Sequence, residues 1–353
     1  MPGLSSLYAI VRRFLIAPVV CVVFAVGGDI AFGQSPSNII TFDAPNAGTK
    51  RNQGTFPWGM NSQGVIAGTV VYPNNQSSGF IRQVDGSMTI VRVPGSQATT
   101  IQSINDAGTV AGMFYTTDIN YYHGFIRTAD GKFTYFLPPG TQFLLAAQID
   151  DLGNVAGYIT SQYDFDVCYI RTADGTITTF TPTGGFGCQT NGIFAGTVSG
   201  TYGSGVASST GFLRHPDGSF TEFLVGDYVN AVDVNEDGTT TGETHLPNST
   251  PYFGFVRGAD GAVSYFAVPE ATTTVGFSIN SVGAVTGSYK IGTYSPTHGF
   301  QRSPNGSIDT FDAPGAGTFP FQGTSPVKIN DAGSITGTFT DSKNVVHGFL
   351  LTP

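Results

Sequence analysis

Ile104-Asn105-Asp106-Ala107-Gly108-Thr109-Val110-Ala111-Gly112, followed by His123-Gly124-Phe125-Ile126-Arg127 and then by Asp130-Gly131, is the stretch that decides the fold. Asn105 and Gly108 suit a tight turn: Asn starts it through local side-chain hydrogen bonding, and Gly accepts a positive φ. Asp130-Gly131 marks a second hairpin turn. The apolar and β-branched residues around these turns predict four short strands: A over 101–104, B over 109–115, C over 123–128 and D over 132–137.

Outward from this unit the pattern recurs along the chain. Gly-x-x-x-Gly appears as Gly64/Gly68, Gly108/Gly112, Gly153/Gly157, Gly192/Gly196, Gly238/Gly242, Gly283/Gly287 and Gly333/Gly337. In these pairs Ala or Thr precedes the second glycine, and the first glycines are spaced by 44, 45, 39, 46, 45 and 50 residues. Gly-Phe-x-Arg runs from Gly79 to Arg82, Gly124 to Arg127, Gly211 to Arg214, Gly254 to Arg257 and Gly299 to Arg302. The third copy is degenerate, Cys168-Tyr169-Ile170-Arg171, and the last, Gly348-Phe349-Leu350-Leu351, lacks its Arg. The short spacing around the fourth copy predicts a tight turn at Asn191-Gly192.

Four antiparallel strands in each repeat of this length match the arithmetic of a β-propeller. The last copy stops at Thr352-Pro353, just after its strand C. Its missing strand D lies at the other end, where Ile39-Ile40-Thr41-Phe42-Asp43-Ala44-Pro45 matches Ile308-Asp309-Thr310-Phe311-Asp312-Ala313-Pro314. The expectation is an all-β chain, with residues 34–353 forming a single seven-bladed β-propeller of four-stranded antiparallel blades. Residues 39–45 would supply the outer strand of the last blade and so remove an open edge. An open solenoid, the competing arrangement, gives no reason for the permuted ends.

Composition agrees with that architecture. Charged residues make up 11% of the chain, against roughly 25% in an ordinary soluble domain. With 48 Gly and 20 Pro, a helical bundle, a coiled coil and a charge-rich disordered chain are excluded. A formal charge of −9 also argues against a nucleic-acid partner, which requires a basic face. Residues 1–33 read as a signal peptide: Arg12-Arg13, an apolar run from Phe14 to Val26, and Ala31-Phe32-Gly33 before Gln34. That run is shorter than the roughly 20 residues needed to span a bilayer, so a retained anchor is the weaker alternative. The expected product is a secreted, periplasmic or cell-surface monomer with no membrane insertion after cleavage.

Residues 104–112, 123–127 and 130–131 resemble the HAF repeat of exported bacterial proteins, with His-Gly-Phe where that repeat has His-Ala-Phe. The His is present only at His123, His298 and His347. The resemblance covers essentially all of residues 34–353 and implies an extracytoplasmic repeat protein. It supplies no catalytic residue.

Candidate site residues follow from departures and from loop content. Ten Tyr fall near the end of strand B or in B–C connections: Tyr72, Tyr115, Tyr121, Tyr122, Tyr158, Tyr163, Tyr202, Tyr252, Tyr289 and Tyr294. Rigid contact area with a polar tip suits recognition, so this variable-loop face is the expected ligand-binding surface. Asn74, Asn75, Asp118, Asp164 and Asp166 add polar groups there. The expected partner is a glycan or another exported protein. Asp233-x-Asn235-x-Asp237-Gly238 matches the first half of a calcium loop, although position 12 is Thr244. Calcium is therefore the one candidate cofactor. The three repeat His occupy one slot of different blades, which argues against a shared metal site. The repeat Arg are expected to satisfy polar groups between blades or to pair with turn Asp. Cys168 and Cys188, an even number after cleavage, permit a disulfide or two free thiols. A glycoside hydrolase or lyase using Asp118, Asp164, Asp166 or Glu243 and a structural surface-layer component are the alternatives to a binding or scaffold role.

Overall fold

The computed structural model describes residues 38–353 apart from 118, 146–147, 162–165, 183, 204–208, 248 and 250. The signal peptide, Asp118, Tyr163 and Asp164 lie outside the described residues, as does the side chain of Tyr121. Among the described residues there are strands and turns and no helix. The strands pair in consecutive antiparallel quartets. The second quartet, Ala98–Ile104, Val110–Thr116, Ile119–Arg127 and Phe133–Phe136, keeps the A to D order expected from the repeat. In the third quartet strand A is split into Thr141–Leu144 and Gln148–Ile149, both paired with Val155–Ser161.

The two ends of the chain meet in one quartet. Ile39–Phe42 pairs antiparallel with Val346–Leu351, placing Ile39 opposite Leu351 and Phe42 opposite Gly348. It is strand D beside Gly323–Ile329, Ile335–Thr340 and Val346–Leu351. Arg82 of the first quartet lies 4.9 Å above the Phe42 ring. His347 Nδ1 sits 2.9 Å from Asp43 Oδ2. That hydrogen bond, with the charges of Asp43 and Asp341, raises the His347 pKa against the opposing effect of burial. His298 and Asp312 repeat the contact at 2.8 Å within the sixth quartet. His347 and His298 therefore tie the start of strand C to the Asp that ends strand D, whereas Leu137 takes that Asp position in the second quartet and His123 packs against Phe114.

The repeat marks have distinct packing roles. Phe80, Phe125, Phe212, Phe255, Phe300 and Phe349 of Gly-Phe are fully buried, and Tyr169 fills the slot in the third copy. The glycine before each makes room for a neighbouring side chain: a Cβ on Gly124 would meet the Phe136 ring at 2.3 Å. In the third copy Cys168 replaces that glycine and is disulfide-bonded to Cys188 of the fourth quartet, with Cα atoms 5.4 Å apart. The Arg that closes the motif lies over a Phe of the preceding quartet's strand D, as Arg171 does over Phe136, Arg214 over Phe180, Arg257 over Phe223 and Arg302 over Phe266. Arg127 instead lies over Phe133 of its own quartet. Cation–π contact at quartet boundaries, rather than pairing with turn Asp alone, gives these Arg their place.

The fourth copy departs from the sequence expectation. Asn191 and Gly192 lie inside strand Phe186–Phe194, and the hairpin to Thr197–Gly203 turns at Ala195-Gly196. Those residues have φ of 46° and 79°, the paired positive values of a type I′ turn. The repeat glycines here are therefore Gly196 and Gly200, with Ser199 before the second. Three glycines four residues apart allow two frames, and only the backbone distinguishes them. With Gly196 in place the spacings become 44, 45, 43, 42, 45 and 50, so the short interval disappears.

Where an Asn opens the A–B turn, it joins one quartet to the next. Asn105 Oδ1 accepts the Thr109 N–H at 2.9 Å, which closes its own turn. Its Nδ2 donates to the Asp150 carbonyl of the following quartet at 3.0 Å. Asn61 reaches Asn105, Asn235 reaches Asn280, Asn280 reaches Asn330, and Asn330 returns to the Ser62 carbonyl at 3.3 Å. Asp150 has no amide donor for this role. Its carboxylate instead accepts the Gly196 N–H at 2.7 Å, in the copy whose turn has no Asn. Asn191 bridges the fourth and fifth quartets by donating to the Ala231 carbonyl at 2.9 Å.

Candidate functional site

The inner strands position a site through a repeated irregularity. Register shifts occur between Pro57 and Gly59, Ile101 and Ser103, Thr190 and Gly192, Ala231 and Asp233, Gly276 and Ser278, and Pro326 and Lys328. Such a bulge leaves one residue out of the ladder and re-aims its side chain. The skipped residues are Trp58, Gln102, Asn191, Val232, Phe277 and Val327, and all six line a cavity of about 690 Å³. Every quartet contributes residues of strand A or its turn to this cavity, which lies at the A–B turn end of the central channel.

Trp58, the only tryptophan in the chain, remains 41% exposed in this wall. Phe56 stacks on it with ring centroids 6.2 Å apart and an interplanar angle of 16°. This pairing fixes the indole while leaving part of it accessible. Asp106, Asp150, Asp151, Asp233, Glu236 and Asp331 also line the cavity, against the single base Lys328. Lys328 Nζ lies 2.8 Å from Asp233 Oδ2, which also accepts the Ser278 hydroxyl at 2.8 Å. Asp106, Asp151 and Asp331 are exposed, yet each accepts a backbone N–H from the preceding quartet: Ser62 at 2.8 Å, Asp106 at 2.7 Å and Ser281 at 2.9 Å. The bonds that join the quartets thus also hold carboxylates around the mouth.

The proposed calcium residues are engaged differently. Asp233 faces Ser278 and Lys328, and Asn235 Oδ1 accepts the N–H groups of Asp237 and Thr239. Among the described residues no group of three or more His, Cys, Asp or Glu is placed to hold a metal ion. The ammonium beside the Asp233 carboxylate and the turn-closing bonds at Asn235 thus give both residues protein partners.

The described Tyr side chains do not converge on one point. Tyr202 and Tyr289 are each only 5% exposed and belong to the core, while Tyr72 and Tyr158 pack against it. Tyr115 and Tyr122 form a pair 5.5 Å apart in the second quartet. Tyr252 contacts Tyr228 and His245 in the fifth, and Tyr294 stands 79% exposed in the sixth. Asn75 accepts from Gln53, and Asn74 bonds with Gln76, so both serve their own connection. Of the candidate carboxylates, Asp166 accepts from Thr160 and Gln189, whereas burial pushes the Glu243 carboxyl up. Neither lines the large cavity, and they belong to the third and fifth quartets.

The cavity residues were not found by reading the repeat, because that reading follows what recurs. Aligned on strand pairing, the position three residues before the turn Asn, or before Asp150 in the third copy and Phe194 in the fourth, holds Trp58, Gln102, Ala147, Asn191, Val232, Phe277 and Val327. Ala147 lies outside the described residues. A variable column inside an invariant frame was the available signal.

No family model matches the chain, and no curated protein matches it. Among solved structures it is similar to the β-propeller domain of the Trilobed protease from Pyrococcus furiosus, described as having an open velcro topology. That likeness has a TM-score of 0.58 at 9% identity and covers 84% of this chain and 95% of that one. The chain folds as a β-propeller. It also resembles puromycin hydrolase, with a TM-score of 0.58, 10% identity and coverage of 82% of this chain and 50% of that one. TolB from Acinetobacter baumannii aligns at a TM-score of 0.49 and 15% identity, over 73% of this chain and 64% of that one. The chain thus spans half the length of puromycin hydrolase and under two thirds of TolB. At these identities the likeness establishes the fold of the propeller and no activity.

Proposed function

We propose that this chain is an exported, non-catalytic binding propeller of seven four-stranded blades, and that its ligand enters the channel at the A–B turn end. The observation that carries the reading is the cavity itself, where six bulged residues, Trp58 among them, enter one space. Pockets of this size with an apolar wall and a few placed polar groups are the usual form of a ligand site. Seven-fold closure is supported by the run of Asn bonds that returns from Asn330 to Ser62 and by the pairing of Ile39–Phe42 with the last strand. The HAF-like repeat and the signal-like residues 1–33 support an extracytoplasmic location. A glycan or an exported protein remains the expected class of partner.

A combined glycan and peptide array tests the site as well as the function. Binding by the wild-type protein is expected to be lost in Trp58→Ala and kept in Tyr252→Ala, with both variants melting like the wild type. The reverse pattern would move the ligand to the Tyr-bearing face and overturn the channel reading.

A further inference from the structure

Resting on the channel reading, we infer that the group bound at the mouth is cationic: the guanidinium or ammonium of an Arg- or Lys-bearing peptide segment. The aromatic wall is the first ground. Trp58 is the strongest π acceptor among the side chains for a cation, and Phe56 holds its plane in place. Phe277, set free by the bulge in the sixth blade, adds a second ring to the same cavity. Charge is the second ground. Six acidic residues line the cavity against one Lys, and that Lys is already engaged by Asp233. Carboxylates around a low-dielectric channel focus their field along its axis and concentrate cations there.

Those charges are also fixed in position. Asp106, Asp151 and Asp331 are each held by a backbone N–H of the neighbouring blade, so a ligand does not have to order them. Gln102 supplies a separate observation. Its Oε1 is shielded from solvent and has no hydrogen-bond donor among the described residues, while its Nε2 reaches the Leu145 carbonyl at 3.4 Å. A guanidinium brings five N–H donors and no acceptor, which matches a lining that carries both carboxylates and an unfilled amide oxygen. A neutral sugar would use the ring and the carboxylate acceptors but would gain no charge attraction from the acidic rim, and an anionic ligand would be repelled by it.

Trp58 fluorescence reads the binding directly, since no second Trp contributes. An acetylated tri-arginine amide is titrated against the full chain, beside the isosteric tri-citrulline peptide and chitotetraose. The arginine peptide is expected to give a saturable change, to bind at least about tenfold more tightly than the citrulline peptide, and to weaken about tenfold at high salt. Asp106→Asn/Glu236→Gln/Asp331→Asn keeps an acceptor oxygen at each position and is expected to weaken the arginine peptide by about tenfold or more with unchanged melting. Should that variant not fold, the salt series and the citrulline pair on the wild-type protein decide the matter. Equal affinity for the two peptides, or no saturable response to arginine, would overturn the inference. Saturable chitotetraose binding that Trp58→Ala abolishes, with no arginine response, would do the same while leaving the channel reading intact.

Discussion

Deletion of residues 34–46 is expected to lower the melting midpoint by about 10 °C or more, or to abolish cooperative unfolding. The segment removed includes Phe42, which fills the space beside Gly348, meets the Phe80 ring at 6.3 Å and underlies Arg82. It also removes Ala44, which is 3% exposed and donates its N–H to Thr55 Oγ1 at 2.9 Å. Losing an aromatic contact on both neighbours together with the strand ladder is expected to cost on the order of 4 kcal/mol. The bare outer edge of Val346–Leu351 would then be open to pairing with other chains, so aggregation should accompany the loss. A deletion variant that melted like the intact protein would contradict closure by the N-terminal strand.

Gly242→Ala is expected to be, with Gly287→Ala, among the most damaging single substitutions in a repeat mark. Its new Cβ would stand 1.9 Å from the Asn230 carbonyl oxygen, backbone against backbone, on the strand paired with it. Relief requires parting strands A and B, so the cost is about 3 kcal/mol or more. Gly283→Ala is the matched control. Nothing lies within 4 Å of its Cβ, and only a φ of +82° opposes the substitution, so its cost is about 1 kcal/mol from backbone strain. Denaturant midpoints measure both. Equal losses would show that the two glycines of the mark share one role, contrary to the close-approach argument.

Much of the architecture was legible in residue order, and the reason is physical. Exchanging turn glycines such as Gly238 costs backbone strain and exchanging close-approach glycines such as Gly242 costs a clash, so the strand plan repeats openly. The Phe and Arg of strand C were equally visible because each blade must pack on the previous one. The fourth copy was misread because Gly192, Gly196 and Gly200 are equally spaced, and spacing carries no sign of φ. Nor does the repeat disclose that Asp150 exchanges a donor for an acceptor to suit the next blade's turn.

The candidate site was harder to read. Of the loop-borne Tyr, Tyr202 and Tyr289 belong to the core, and Tyr72, Tyr115, Tyr122, Tyr158, Tyr252 and Tyr294 are spread over several quartets. Trp58 and its counterparts sit inside regular strands, one bulge away from a paired position. Bulges are invisible to a hydrophobic pattern, and the convergence of Trp58 with its five described counterparts exists only once the quartets are packed together.

Collisional quenching of Trp58 tests most directly whether the channel mouth is both open and acidic. Caesium and iodide quenching constants are measured for the native protein and scaled to those of N-acetyltryptophanamide. Caesium is expected to quench Trp58 about tenfold more effectively than iodide on that scale at low salt, with the difference fading as ionic strength rises. Equal scaled quenching, or a Trp58 that neither ion reaches, would contradict the account.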